Sequence, residues 1–346
     1  MILRNSAWNP GSRCGSLSKS SSEPLKVQEE ERLKNMSNNN SIFLLLGLVE
    51  METQKYLYFC FSLMIYLFIL SMNCIILFVV LKERSLHEPM YILIAILVLN
   101  EILGSSSFLP KLTVDLITSS KTISCIDCLI QIFCVTFFTC VEVSIFTVMA
   151  YDRYLAICHP LHYFALMNNE KAVKLIGGCW VILFVLTVFL IILTEALPLC
   201  GDTINNIFCE NMSMVILSCV DSTTSRLYTI SSFITYLVCS IGVTMFSYLR
   251  IIFVCLRLSE ESRQKAVHTL VTHLLNFSIF LIGVLFIVRR YRLGTDNISL
   301  TSHVLLSATA VVCPPPICNP LIYGLRTQAL RVKVIQHLQN LHFRRA

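Results

Sequence analysis

The sequence predicts an all-α membrane protein: a seven-transmembrane helix bundle with its N-terminus extracellular and its C-terminus cytoplasmic. Three observations carry that reading. Of 346 residues, 55% are hydrophobic and only 14% charged, and the mean hydropathy is +0.71, more than one soluble core requires. The apolar residues fall into seven runs of roughly 20 or more, the number that crosses a hydrocarbon core of about 30 Å at about 1.5 Å per helical residue. Finally, the basic residues punctuate the ends of those runs, as membrane flanks do.

In chain order the expected spans are Tyr56 to Leu81, Met90 to Leu109, Cys128 to Ile157, Leu175 to Leu193, Leu227 to Leu249, Thr269 to Val288 and Leu300 to Tyr323. Glu101 interrupts the second and Glu142 the third, while Pro314, Pro315, Pro316 and Pro320 fall in the seventh. Broken helices are tolerated in membranes where neighbouring helices satisfy the freed backbone groups. The domain division is then a tail over 1–55, a helical domain over 56–325, and a tail with an amphipathic helix over 326–346.

Orientation follows from Lys and Arg in the short loops. One set of flanks carries fourteen of them, among them Lys82, Arg84, Arg153, Lys171, Arg250, Arg263 and Arg331; the other has seven, among them Lys55, Lys111, Lys121 and Arg226. The richer set is cytoplasmic. Arg289, Arg290 and Arg292 run against the rule without overturning the sum. Sequons agree, with Asn39 before the first span and Asn211 and Asn297 in outer loops; Asn39 is the foremost glycosylation candidate. The first 35 residues are polar, rich in Ser and Glu, and lack the apolar core of a signal peptide. They read either as a disordered leader or as a start assigned upstream of Met36.

A net charge of +6 does not indicate a nucleic-acid partner, because no Lys/Arg-rich block with interleaved aromatics accompanies it. Of 16 Cys, many lie inside apolar runs, where the thiol acts as a small hydrophobe. Cys125, Cys128, Cys200, Cys209 and Cys219 sit at the outer side, where oxidation is expected. No second pair at the right spacing accompanies Cys125-x-x-Cys128, so a metal or redox site is not indicated. No Ser/His/Asp set or phosphate loop converges on one face, and no enzyme is expected.

The most specific string runs Met149-Ala150-Tyr151-Asp152-Arg153-Tyr154-Leu155-Ala156-Ile157-Cys158-His159-Pro160-Leu161-His162-Tyr163, at the cytoplasmic end of the third span. Leu86-His87-Glu88-Pro89-Met90-Tyr91, Ser247-Tyr248, Lys265-Ala266 through His273, and Asn319-Pro320-Leu321-Ile322-Tyr323 follow in register with the spans. With these motifs, the run from about Ser41 to Leu330 resembles an odorant receptor of the rhodopsin-like G-protein-coupled class. The resemblance implies a multi-pass cell-membrane receptor that binds a small-molecule odorant and raises cyclic AMP through a stimulatory heterotrimeric G protein. A rhodopsin-like receptor for another small molecule is the neighbouring reading. A secondary transporter, with Glu101, Glu142 and His273 as a proton relay, is the more distant one, and no internal repeat supports it.

An Arg at a membrane boundary needs a partner, and Asp152 is adjacent to Arg153. By resemblance Asp152, Arg153 and Tyr154 form a switch released on activation, with Tyr248, His273, Asn319, Pro320 and Tyr323 helping to hold or couple the opened arrangement. The same resemblance pairs Cys128 with Cys209 and Cys200 with Cys219. It places a ligand cavity among the outer halves of spans three, five and six, beneath the second outer loop: Val135, Thr136, Thr139, Cys140 and Val143; Ser232, Phe233 and Tyr236; Leu281, Val284, Leu285 and Val288. These are mostly apolar with a few hydroxyls, as a small-molecule site requires.

Two carboxyls lie at one depth. Glu101 is 12 residues past Pro89 on a helix entering from the cytoplasm, and Glu142 is 11 before Arg153 on one returning there, so both sit roughly 17 Å in. Like charges that close require a cation or a proton between them. The resemblance implies a sodium-binding carboxylate at Glu101, where Asp is commoner, and a second at Glu142, with Asn319 assisting. The expectation is therefore no organic cofactor, with Na⁺ or a proton serving the pair.

Overall fold

The computed structural model describes residues 42–219, 223–257, 259–292 and 314–343. Helices dominate. In chain order they are α1 (Leu46–Met51), α2 (Lys55–Lys82), α3 (Pro89–Ser106), α4 (Leu109–Thr118), α5 (Cys125–Cys158), α6 (Tyr163–Leu166), α7 (Asn169–Glu195), α8 (Asn211–Ile216), α9 (Thr223–Cys255), α10 (Glu260–Arg292), α11 (Pro314–Arg326) and α12 (Gln328–Phe343). Spans one to seven of the sequence fall on α2, α3, α5, α7, α9, α10 and α11. Among the described residues, five helical stretches are long and apolar enough to cross a membrane, those built on α2, α3, α5, α7 and α9. Span six contains the shorter apolar stretch His273–Gly283, and the part of span seven before Pro314 lies outside the described residues.

Span two is the one whose extent the sequence window misjudged. The expected end was Leu109, but after α3 closes at Ser106 a second helix, α4, continues to Thr118. Pro110 falls in the first turn of α4, where its missing N–H would have had no intrahelical acceptor anyway. The hydroxyls of Ser105 and Ser107 turn back to the carbonyls of Glu101 and Gly104 at 2.6 and 2.7 Å, relieving the break. Lys111 and Asp115, which ended the apolar window, pair at 3.0 Å one turn apart and so extend the helix instead of stopping it.

The all-helical reading also missed a small sheet on the outer face. Strand β1 (Ile42–Leu45) lies between β2 (Thr122–Ser124), antiparallel, and β3 (Thr203–Ile204), parallel, with Phe43 opposite Ile123 and Leu44 opposite Thr203. The end of the N-terminal tail is thereby threaded between the first and second outer loops. Gly47 follows immediately, and a Cβ there would lie 2.5 Å from Ile207 Cγ2 and 2.9 Å from the Asn206 carbonyl carbon. Only glycine permits that approach.

Two apolar clusters divide the bundle. The outer one joins Phe43, Leu45 and Leu48 to Phe108, Leu112, Cys128, Ile132, Phe208 and Met214. The larger inner one joins Leu93, Leu97, Val143, Ile145, Met149, Phe277 and Tyr323 across spans two, three, six and seven. Asn73 ties span one to span seven, donating to the carbonyls of Ile69 at 2.9 Å and Pro316 at 3.1 Å. Exposed side chains on α2, α7 and α9, including Phe61, Leu67, Val181, Phe184, Ile234 and Phe246, are large and apolar. Such faces suit lipid rather than water.

Candidate functional site

A cavity with about 430 Å³ of space, part of it open to the surroundings, is lined by Thr136 and Cys140 of α5, Leu183, Leu186, Thr187 and Leu190 of α7, and Tyr228, Ser232, Phe233 and Tyr236 of α9. Five of the twelve expected ligand residues meet there: Thr136, Cys140, Ser232, Phe233 and Tyr236. The side chains of Val284, Leu285 and Val288 lie outside the described residues. Val135 packs against the outer cluster, Val143 is buried in the inner one, Leu281 packs against the inner one, and Thr139 is half-buried without lining this cavity. Sequence reasoning missed the wall from span four. Its lone signal was Thr187, a hydroxyl within an otherwise apolar run.

Tyr236 fastens this wall to span three. Its hydroxyl donates to the Cys140 carbonyl at 2.6 Å and lies 2.7 Å from Ser144 Oγ, satisfying the one polar group of the ring in a medium with no water to do so.

At the other end of span three, Asp152 accepts from Arg153 Nη2 at 2.6 Å and Nε at 3.0 Å, and from the Tyr163 hydroxyl at 2.8 Å. The carboxyl is fully buried while the guanidinium keeps 18% exposure, so its charge reaches the boundary. Tyr154 packs edge-on against His159 and Phe246. Burial, together with the Asp152 charge, raises the Tyr163 phenol above its ordinary pKa, which keeps it a neutral donor. Tyr248 is buried with Ala150, Ile251, Cys255 and Leu270. His273 Nδ1 lies 3.1 Å from the Tyr323 hydroxyl, joining span six to span seven, and Pro320 sits inside α11.

Between the two ends, Asn319 Nδ2 donates to Glu101 Oε1 at 2.8 Å and to Glu142 Oε1 at 3.1 Å. Both carboxyls are buried. The shared depth read from the sequence thus becomes a single polar knot among spans two, three and seven.

On the outer face Cys128 is bonded to Cys209 and Cys200 to Cys219, with Cα atoms 5.3 and 5.0 Å apart; Cys125 is free. Gln131 Oε1 accepts from the Cys209 backbone N–H at 2.7 Å, docking the loop on span three. Asn211 is buried at 7% exposure, accepts from the Thr194 hydroxyl and donates to that of Thr229 at 2.9 Å. Asn39 lies outside the described residues.

A family model described as olfactory receptor matches residues 59–340. The chain belongs to the olfactory receptor family. It is similar to olfactory receptor 4B13 of Mus musculus, 35% identical over 86% of this chain and 96% of that one. It is also similar to olfactory receptor 4S2 of Homo sapiens, 34% identical over 85% and 93%, and to olfactory receptor 2AT4 of Homo sapiens, 32% identical over 86% and 92%. Membership makes the fold a seven-helix bundle in the membrane and the activity that of a receptor, not an enzyme. Olfactory receptors take odorant ligands and couple to G proteins generally.

Proposed function

We propose that this olfactory receptor binds a small odorant in the outer half of spans three to six and couples to a stimulatory G protein, raising cyclic AMP. The observation that supports it is the continuity of span three. One helix presents Thr136 and Cys140 to the cavity, carries Glu142 in the middle, and ends in Asp152 and Arg153. A ligand that prefers one arrangement of that helix against α9 shifts the population of the whole bundle, since its differential affinity is the only source of the change.

Arg153 is the group a G protein would engage once Asp152 releases it, with Tyr154, Tyr248, His273, Asn319, Pro320 and Tyr323 supporting the released state. The carboxyl pair offers oxygen donors of the kind hard cations take, and we assign Na⁺ to Glu101, Glu142 and Asn319 as a stabiliser of the resting state. The tail over 1–55 is extracellular with a glycan on Asn39, and 326–346 is cytoplasmic. An odorant panel on cells expressing the chain, read as cyclic AMP, tests the function. Agonists should raise it in wild type and not in Arg153→Ala delivered equally to the surface; full output from that variant removes Arg153 from the mechanism.

A further inference from the structure

The cavity between spans three, four and five is partly open. Among the described residues, its ten lining side chains come from those three helices. On span four Leu183, Thr187 and Leu190 are buried, while Leu186 between them is 42% exposed and marks the rim. Val185 and Phe189 beside it, and Ile230 and Ile234 on span five, are exposed and apolar, a surface for acyl chains. The rim is latched lightly. The Tyr228 hydroxyl donates to the Leu186 carbonyl at 3.4 Å, and its ring meets Phe189 edge-on at 4.9 Å. Rotation of one side chain releases both contacts.

Inside, the hydroxyls are unequally committed. Thr187 donates to the Leu183 carbonyl at 2.8 Å, Ser232 to Thr229 at 3.3 Å and Tyr236 to Cys140 at 2.6 Å. Thr136, by contrast, makes no hydrogen bond among the described residues. A hydroxyl at hydrocarbon depth gains from a partner, and among the described residues no Asp, Glu, Lys, Arg or His lines the cavity to recruit a charged one. The wall therefore suits an uncharged molecule with one polar group.

We propose that this cavity is loaded from the bilayer: a small apolar molecule dissolved in the membrane, carrying one hydroxyl or carbonyl group, enters between spans four and five past Leu186 and Tyr228 and hydrogen-bonds to Thr136. This rests on the reading of Thr136, Cys140, Ser232, Phe233 and Tyr236 as ligand residues. It adds the route, the wall from span four and the chemical class.

The test uses the full-length receptor in lipid nanodiscs without G protein, so failure of coupling and failure of loading are read separately. The probe is octanol bearing a photoreactive diazirine on its chain, with the corresponding diazirine octane as comparison, and adducts are located by peptide mass spectrometry. Saturable labelling of segments 136–140, 183–190 and 228–236, displaced by plain octanol, is expected. Leu186→Trp should block the mouth and cut it severalfold, and Tyr228→Ala should speed it. Thr136→Val should weaken the alcohol probe by about tenfold, the worth of one hydrogen bond, and leave the hydrocarbon probe unchanged. Labelling that does not saturate and spreads evenly over exposed faces such as that of span one, or that ignores both rim variants, overturns the proposal.

Discussion

The Tyr163 hydroxyl donates a 2.8 Å hydrogen bond to Asp152, so the buried carboxyl is held from two sides, by Arg153 of its own helix and by a phenol from the following loop. If Asp152 holds Arg153 in the resting receptor, as proposed above, removing the phenol should loosen that hold. A hydrogen bond to a charged group contributes about 1.5 to 3 kcal/mol, and about 1.4 kcal/mol is a tenfold shift in a two-state equilibrium. Tyr163→Phe is expected to raise ligand-free cyclic AMP about tenfold or more, with surface expression unchanged. Basal output equal to wild type would show that Asp152 needs only Arg153.

Glu83, in the first cytoplasmic loop, accepts from Lys333 at 3.0 Å and lies 3.1 Å from His337 Nε2, pinning α12 beneath span one. Lys333 foremost holds the Glu83 carboxyl below its usual pKa. A depressed carboxyl contributes its stabilisation above the ordinary carboxylate range and loses it only as pH falls through the depressed value. Protection of 328–343 against hydrogen exchange, corrected for the intrinsic rate, should therefore be lower in Glu83→Gln than in wild type at any pH above the ordinary carboxylate range. Equal exchange in variant and wild type would detach Glu83 from the docking of α12.

Much of this architecture is legible in the sequence because hydropathy and spacing are local. Span three was placed within three residues of its start at Cys125, and the positions of Glu101 and Glu142 followed from counting turns. What escaped was set by contacts between distant segments. Nothing local in Ile42–Leu45 distinguishes a strand from the apolar start of a helix, and its pairing depends on Thr122–Ser124 and Thr203–Ile204. Leu183, Leu186 and Leu190 look like any lipid-facing leucines until packing turns two of the three inward. Asn211 matched a glycosylation pattern, yet the fold spends its side chain on Thr194 and Thr229.

That commitment of Asn211 predicts its modification state. A buried amide bonded on both sides is not presented to a glycosyltransferase, whereas Asn39 lies in the segment proposed above as the outer tail. Glycosidase treatment should shift the mobility of wild type, and Asn39→Gln should abolish the shift while Asn211→Gln leaves it in place. A shift lost in Asn211→Gln would contradict the buried network. Because Asn211 joins span four to span five, its variant should also reach the surface less well.

The Cys128–Cys209 bond ties span three to the second outer loop across 81 residues. Such a bond typically contributes about 2 to 4 kcal/mol, largely by restricting the unfolded chain. Cys128→Ser and Cys209→Ser, singly or together, should cut surface delivery to a similar extent, since either change removes the same link. Normal delivery and ligand response in the double variant would show the bond to be dispensable.

Asn319 bridges Glu101 and Glu142 with one amide nitrogen, at 2.8 and 3.1 Å, and that geometry sets up the last prediction. One NH₂ group satisfies one oxygen of each carboxyl, and two buried carboxylates facing a neutral donor still carry uncompensated charge. Either a proton or a cation must neutralise the knot. A cation held there touches spans two, three and seven together, so it favours whichever arrangement keeps the three helices in place, and its differential affinity opposes activation. If Na⁺ fills this role, replacing NaCl isosmotically by a bulky organic cation salt should raise agonist potency in wild type. Glu142→Gln removes one charged ligand while preserving the shape of the side chain, so its potency should be insensitive to sodium. Wild-type potency that ignores sodium, or a sodium response unchanged in Glu142→Gln, assigns the knot to a shared proton instead. In that case the same variant, which mimics the protonated carboxyl, should signal like wild type at every sodium concentration.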